Sequence, residues 1–125
     1  MLVEFLKDRG ISFKHALNGL KDILATEHNA VIHAIMTVIV LVLSSWLQVG
    51  TIRFVFIIIV ISLVWITEAL NTVLEIVIDI VSPEYTQAAK RAKDIAAAAV
   101  LFASLGALTT GLVILGPPLL DKLIF

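Results

Sequence analysis

Three long apolar stretches, separated by short polar segments, dominate the pattern of the chain. The first, 30–49, is twenty residues long and contains no Asp, Glu, Lys or Arg. The second is free of charge over 54–67 and keeps a helical pattern to residue 81, and the third, 94–115, carries no charge after its first residue. About 20 apolar residues cross the roughly 30 Å hydrocarbon layer of a membrane. The pattern therefore predicts three transmembrane helices, of which the second (54–81) extends beyond the hydrocarbon into the cytoplasm.

The segment before these stretches, 11–28, is too polar to span a membrane but has a helical period. At 100° per residue its apolar side chains share one arc and its polar side chains share the opposite one. We predict an amphipathic helix in the membrane interface. Glu27 falls on the apolar arc, which leaves two interpretations. Either Glu27 contacts a protein groove or a cation, or the helix ends near Thr26 and Glu27 is solvated.

Residues that disfavour helix interiors mark the expected helix ends. Gly50 is expected in a short turn between the first and second spans, and Ser82 and Pro83 at the end of the second helix. Residues 84–93 are then expected to form a short cytoplasmic connection. The third helix is expected to stop at a final set of breaking residues, Gly116, Pro117 and Pro118.

The composition excludes an ordinary soluble domain. Of the 125 residues, 60% are hydrophobic and 15% are charged, whereas an average soluble domain is about 45–50% apolar and about 25% charged. The predicted fold class is an all-α membrane protein, with three transmembrane helices and one interfacial helix. Because the chain has no cysteine, disulfide and thiolate chemistry are excluded.

The nine Lys and Arg residues are placed unevenly along the chain. Four precede the first span, one lies between the first and second spans, three lie between the second and third, and one follows the third. Cytoplasmic segments carry the Lys and Arg excess. The distribution therefore predicts a cytoplasmic N-terminus and a C-terminus on the outer side.

The second span carries four polar residues, Glu68, Asn71, Glu75 and Asp79, which we call the polar line. Spacings of three, four and four residues place them within a helical arc of about 80°. A charged side chain at the bilayer centre costs about 2.5–3.5 kcal/mol on insertion scales, so three carboxylates need an explanation. At ~1.5 Å per residue from Arg53, Glu68 lies about 22 Å deep and Asp79 among the cytoplasmic headgroups.

Carboxylates this close to one another repel unless a cation lies between them. Oxygen ligands favour Mg²⁺, which typically binds through one or two carboxylates together with substrate phosphates. Lys93 and Asp94, at the cytoplasmic end of the third span, leave two interpretations. Lys93 either meets phosphate oxygens while Asp94 orients it or a sugar hydroxyl, or the pair caps the helix.

Asn29 and His33 lie four residues apart on one face of the first span. Metal ligation by this pair is disfavoured, because no cysteine or second histidine joins them. A polar contact between helices is the preferred interpretation.

Two motifs then point to a family. The pattern ExxNxxxExxxD over 68–79, followed by Ala-Lys-Asp at 92–94 and an alanine-rich start to the last span, resembles the prokaryotic integral-membrane diacylglycerol kinase and undecaprenol kinase family. The resemblance continues upstream through FKHALNG at 13–19 and EHNAVIH at 27–33, and so covers nearly the whole chain. The segment 27–33 looks closer to the undecaprenol kinase type, which does not decide the preferred lipid.

The resemblance implies an ATP- and Mg²⁺-dependent kinase that transfers the γ-phosphoryl group to undecaprenol or diacylglycerol in the bacterial cytoplasmic (inner) membrane. Members of the family are homotrimers with active sites shared between subunits, and no nucleic-acid partner is expected. By position, Glu68 matches the catalytic base, Glu27 and Glu75 match metal-binding glutamates, and Asn71 matches a residue that lines the site. The implied nucleotide-binding residues are Lys93, Asp94 and Asp79, together with Glu27 and Glu75.

Two other functional classes are alternatives. An oligomeric transporter or cation channel would use the polar line as an ion path, but no acidic residue lies between Arg53 and Glu68 to complete it. A non-catalytic assembly protein would leave the intramembrane acids without a purpose. The lipid kinase is therefore the leading hypothesis.

Overall fold

The computed structural model describes residues 1–124, with the side chains of Leu2, Val3, Phe5 and Leu6 left aside. Over this range the chain forms four α-helices and no strand, which confirms the all-α class. The helices are α1 (Leu2–Thr26), α2 (His28–Trp46), α3 (Thr51–Val81) and α4 (Gln87–Ile124).

The last three helices are long and apolar enough to cross a membrane. They contain 19, 31 and 38 residues. At ~1.5 Å per residue, α2 just crosses a hydrocarbon layer of roughly 30 Å, whereas α3 and α4 extend well beyond it. The short connections between them make successive helices antiparallel, so the C-terminal end of α3 and the N-terminal end of α4 lie on the same side of the membrane.

The junction between α1 and α2 is a single residue, Glu27. Its backbone is extended (φ −101°, ψ 113°), yet its N–H still donates to the carbonyl of Ile23 at 2.9 Å. The amphipathic helix therefore ends at Thr26, and the chain turns directly into the first span. The Glu27 side chain is half-buried, so it is not fully solvated at this junction.

The turn between α2 and α3 closes α2 with a Schellman motif. The N–H of Val49 donates to the carbonyl of Ser44, and the N–H of Gln48 donates to that of Ser45, each at 3.2 Å. This pattern places Gln48 in the left-handed region, at φ 51°. Glycine is the usual residue at that position, because a Cβ is disfavoured there.

The connection between α3 and α4 is shorter than the sequence indicates. Helix α3 ends at Val81, with Ser82 as its C-cap, as expected. However, α4 already begins at Gln87, so most of the expected 84–93 connection is helical. The hydroxyl of Thr86 accepts a hydrogen bond from the N–H of Ala89 at 3.1 Å. A side-chain cap of this kind is a strong helix start signal, which explains why α4 begins before the charged residues.

The expected helix end at Gly116, Pro117 and Pro118 is wrong, because α4 continues through both prolines to Ile124. The prolines remove two N–H donors, but membrane helices tolerate such losses where neighbouring groups compensate. The extension is held by Lys122, whose Nζ donates to the carbonyl of Trp46 at 3.0 Å and lies 4.4 Å from the centre of its ring. This contact joins the ends of α4 and α2, and an aligned cation at a helix C-terminus is favourable.

Helices α3 and α4 make the most extensive contact, and α2 packs less closely on both. One polar bond ties α2 to α3, from Nε1 of Trp65 to Oγ1 of Thr37 at 3.1 Å. Many large apolar side chains stay exposed on the outer faces of α2, α3 and α4. In a membrane these faces meet lipid tails or other subunits, so their exposure does not destabilise the protein.

Replacing Gln48 with glycine is expected to stabilise the protein. A residue with a Cβ loses about 1–2 kcal/mol of stability in the left-handed region, and glycine avoids this loss. Part of the gain in stability is offset, because glycine has more conformational freedom in the unfolded chain. We expect the midpoint of thermal unfolding in detergent to rise. Gln48→Ala, which keeps the Cβ, is the control and should give no such increase. An equal increase for both variants would contradict this explanation.

Candidate functional site

The centre of the site is the carboxyl group of Glu68 on α3. Its residue is only 1% exposed, although a charged group is rarely buried without a partner. Oε2 of Glu68 lies 3.7 Å from Nε2 of His33 on α2. Neither of these two atoms has a hydrogen-bond partner within the described structure. The preferred interpretation of His33 as a polar helix contact agrees with this placement.

One turn further along α3, Asn71 and Glu75 are joined by a hydrogen bond. Nδ2 of Asn71 donates to Oε1 of Glu75 at 3.0 Å. Asn71 is buried, and its Oδ1 has no partner, whereas Glu75 is half-buried. The amide therefore orients one carboxylate oxygen of Glu75 and leaves the other oxygen available to a ligand.

At the exposed end of the polar line, two ion pairs involve the start of α4. Lys93 pairs with Asp79 across the α3–α4 contact. Asp94 pairs instead with Lys90, one turn earlier in α4, at 2.8 Å. The interpretation of Lys93 and Asp94 as a capping pair is therefore wrong, because Gln87 begins the helix and Thr86 caps it.

These pairs border a cavity of about 350 Å³ that opens towards water. Its lining combines acidic, basic, hydroxyl and aromatic side chains. They come from the end of α3, the connection and the first turns of α4, and include Asp79, Ser82, Tyr85, Thr86, Lys93 and Asp94. The polar line thus runs from a buried carboxyl group to an open polar cavity.

Glu27, the remaining carboxylate of the predicted site, lies at the α1–α2 junction. The hydroxyl of Thr26 lies 3.4 Å from its Oε1. The charges of Glu27 and Glu75 both act on Glu68. Yet nowhere in residues 1–124 do three His, Cys, Asp or Glu side chains of the one chain come together as a metal centre.

An apolar groove of about 440 Å³ adjoins the buried end of the polar line. It lies among α2, α3 and α4, and His33 is the one side chain in its lining that can be charged. Thr37 and Ser104 are the other polar residues of that lining, and Oγ of Ser104 is buried without a partner. The remaining lining is aliphatic, methionine or glycine, and extends to Leu119 near the end of α4.

The sequence alone did not assign His33 and Ser104 to the apolar groove beside the polar line. A signal for His33 was present, because it is the one titratable side chain in α2 after His28. Ser104 lies in an apolar helix, where a hydroxyl residue is common. Its position next to the groove therefore follows only from the packing of the helices and not from the sequence.

The sequence of this chain is similar to that of known proteins of one family. The family described as prokaryotic diacylglycerol kinase matches residues 14–115. A diacylglycerol kinase of Synechocystis sp. is 39% identical over 91% of this chain, which spans 66% of that protein's length. A diacylglycerol kinase of Escherichia coli is 34% identical over 88% of this chain and 87% of its own length. An undecaprenol kinase of Bacillus subtilis is 32% identical over 86% of this chain and 88% of its own length.

The matched residues include the polar line, Glu27, His33 and the first turns of α4. The three helices that are long enough to span a membrane fit an enzyme that acts on lipid. The chain therefore belongs to the prokaryotic diacylglycerol kinase family of membrane lipid kinases.

Proposed function

We propose that the protein transfers the γ-phosphoryl group of ATP to the hydroxyl group of a membrane lipid alcohol, with Mg²⁺ as the metal. The observation that carries the proposal is the polar line, which joins a buried carboxyl group, on a helix long enough to span a membrane, to a polar cavity open to water. A lipid hydroxyl and a nucleotide phosphate come from these two environments, so an enzyme that joins them needs such a connection.

Glu68 acts as the general base. As the lipid oxygen forms its bond to the γ-phosphorus, the bond from that phosphorus to the bridging oxygen of ATP breaks and ADP leaves. The proton of the lipid hydroxyl passes to the Glu68 carboxylate. Burial supports this role, because a carboxylate shielded from water accepts a proton more readily than an exposed one.

Glu27 and Glu75 are the proposed Mg²⁺ ligands. Both carry carboxylate oxygens, both act electrostatically on Glu68, and Asn71 holds one oxygen of Glu75 in place. Two carboxylates that leave room for phosphate oxygens are a donor set that suits Mg²⁺. When bound, the ion would neutralise phosphate charge, which is the main requirement of phosphoryl transfer.

The polar cavity at the start of α4 is the proposed nucleotide site, together with Glu27 and Glu75. Lys93 offers three donors to phosphate oxygens and would exchange its partner Asp79 for the nucleotide. Asp94, held by Lys90, accepts a hydrogen bond from a sugar hydroxyl or orients Lys93. Asp79 keeps Lys93 aimed at the cavity before the nucleotide binds.

We propose that the active form is a homotrimer with sites shared between subunits. A single chain does not gather three candidate metal ligands in residues 1–124, and α2 leaves much apolar surface exposed. Residues from a neighbouring subunit would complete the centre. We propose that the protein lies in the bacterial inner membrane with its N-terminus and nucleotide cavity on the cytoplasmic side and its C-terminus outside. The Lys and Arg excess before α2 and between α3 and α4 supports this orientation.

An ion channel is a weaker candidate on this geometry. Beyond His33 the groove towards the far side is lined by aliphatic side chains, with Thr37 and Ser104 as its remaining polar residues. A cation would lose its hydration there without replacement ligands. An apolar lipid chain fits the same lining.

Glu68→Gln is expected to abolish nearly all phosphoryl transfer. The amide keeps the size of the side chain but cannot accept the proton, and general base catalysis contributes about 10²–10⁴-fold. The measurement is transfer of labelled phosphate from ATP to lipid by the purified protein in micelles. Asp121→Asn makes the same chemical change at the opposite end of the molecule and should retain activity. Unimpaired turnover in Glu68→Gln would refute the base assignment.

Removing Mg²⁺ with EDTA is expected to stop the reaction, and adding Mg²⁺ in excess is expected to restore it. Glu75→Gln should raise the Mg²⁺ concentration that gives half-maximal activity by about tenfold or more. Glu4→Gln removes an exposed carboxylate of α1 and should leave this concentration unchanged. The metal assignment fails if Glu75→Gln has the same Mg²⁺ requirement as the unaltered protein.

The acceptor is expected to be a lipid alcohol, because the groove next to Glu68 is apolar. The sequence is about equally identical to a diacylglycerol kinase and to an undecaprenol kinase, so diacylglycerol and undecaprenol are both candidate acceptors. Undecaprenol, a diacylglycerol and water-soluble glycerol would be compared in the same micelles. We expect phosphorylation of at least one lipid and none of glycerol, and comparable rates on glycerol would contradict the role of the groove.

A further inference from the structure

His33 is a buried titratable group to which the proposed mechanism gives no role. It is the one titratable side chain in α2 after His28, and its side chain is 16% exposed. Nε2 of the imidazole is fully buried and has no hydrogen-bond partner. A buried polar atom without a partner is costly, so this position needs an explanation other than packing.

The partner that faces Nε2 is the equally unpaired Oε2 of Glu68, at 3.7 Å. A water molecule cannot bridge the two atoms, because two bonds of about 2.8 Å at ordinary angles separate their ends by about 4.5 Å or more. A side-chain movement of less than about 1 Å instead brings the two atoms into direct hydrogen-bond distance. Catalytic hydrogen bonds are often this loose before substrate binds.

A second contact holds the two helices in this register. The bond from Trp65 to Thr37 joins α3 to α2 at positions three and four residues from Glu68 and His33. Residues at those spacings share a helix face. The imidazole therefore faces the carboxyl group because of a hydrogen-bonded helix contact.

The other charged groups around the pair are few. Glu27 and Glu75 act on Glu68 together with His33. Helix α3 has no titratable side chain between Arg53 and Glu68, and α4 has none between Asp94 and Asp121. Within the described chain, His33 is thus the positively chargeable group that lies nearest to the buried carboxyl.

We propose that His33 acts through Glu68, as the acceptor of its proton, which rests on the proposed function of Glu68 as base. Oε1 of the Glu68 carboxylate takes the proton of the lipid hydroxyl. The carboxylic acid then turns about its Cγ–Cδ bond, so that its O–H donates to Nε2 of the neutral imidazole, which is protonated on Nδ1, and the proton passes to Nε2. Glu68 returns to carboxylate, and His33 becomes imidazolium and later releases the proton to water.

His33→Gln tests the role in turnover. Glutamine can donate a hydrogen bond but cannot take up the proton, so we expect kcat to fall about tenfold or more while the KM for ATP stays within about twofold. The pH dependence of kcat should also change shape. In a Glu68→Gln background, His33→Gln should cause no further loss, because His33 acts through Glu68. An unchanged kcat and pH profile in the single variant would overturn the proposal.

Thr37→Val is the matched control in the same helix contact. It removes the hydrogen bond to Trp65 but no titratable group, so stability and kcat should fall as the helix register loosens, while the shape of the pH profile stays. If both variants changed the shape of the pH profile in the same way, the role of His33 would be structural and the proposal wrong. His33→Asn replaces His33→Gln should the latter not purify as folded protein by circular dichroism.

A measurement without turnover separates this inference from the proposed function. The chain has three histidines, so ¹⁵N-histidine NMR in lipid bilayers resolves His33 by its loss in His33→Gln. Glu68→Gln should shift the Nε2 resonance of His33, since the contact changes, even if no kinase activity is found. No shift would overturn the contact, whereas a shift in a protein that does not phosphorylate lipid would refute the proposed function alone.

Discussion

Burial of one carboxyl group, that of Glu68, is the constraint on which the arrangement of the site depends. An isolated carboxylate is expensive in an apolar interior, so the position of each polar group near it matters. His33 approaches from α2 at 3.7 Å, and Asn71 and Glu75 follow on the same face of α3. The free-energy cost of burying a charge decreases along α3 towards its exposed end, where Asp79 pairs with Lys93. A lipid kinase needs such a change from a buried to an exposed environment, because one reactant comes from the lipid phase and the other from water.

The three spans, the polar line and the end of α3 could be predicted from the sequence, because membrane helices obey simple rules. Length and apolarity define the three spans, and a helical period alone puts the polar line on one face of α3. The end of α3 at Ser82 followed from proline and serine. These features are local, so residues near in sequence determine them. The depth of Glu68 in the membrane, calculated from the rise of the helix, stays a prediction.

The errors arose where contacts between distant residues override local preference. Pro117 and Pro118 normally end a helix, but Lys122 binds the carbonyl of Trp46, 76 positions away, and that contact holds the extension of α4. The pairing of Lys93 with Asp79 likewise depends on how α3 and α4 pack. No pattern in either segment contains that information. The start of α4 is different, because Thr86 is a cap of a residue type that can be recognised in the sequence.

The loose packing of α2 has a consequence for the site. Glu27 begins this helix and His33 lies on it, while the polar line belongs to α3, which packs mainly on α4. Any shift of α2 along α3 therefore changes the distances from both residues to Glu68 together. The Thr37–Trp65 bond limits that shift at one level, and the Lys122–Trp46 contact anchors the far end. If Glu27 and Glu75 hold a metal, as proposed, that metal would restrain the near end of α2 and with it the distance from His33 to Glu68.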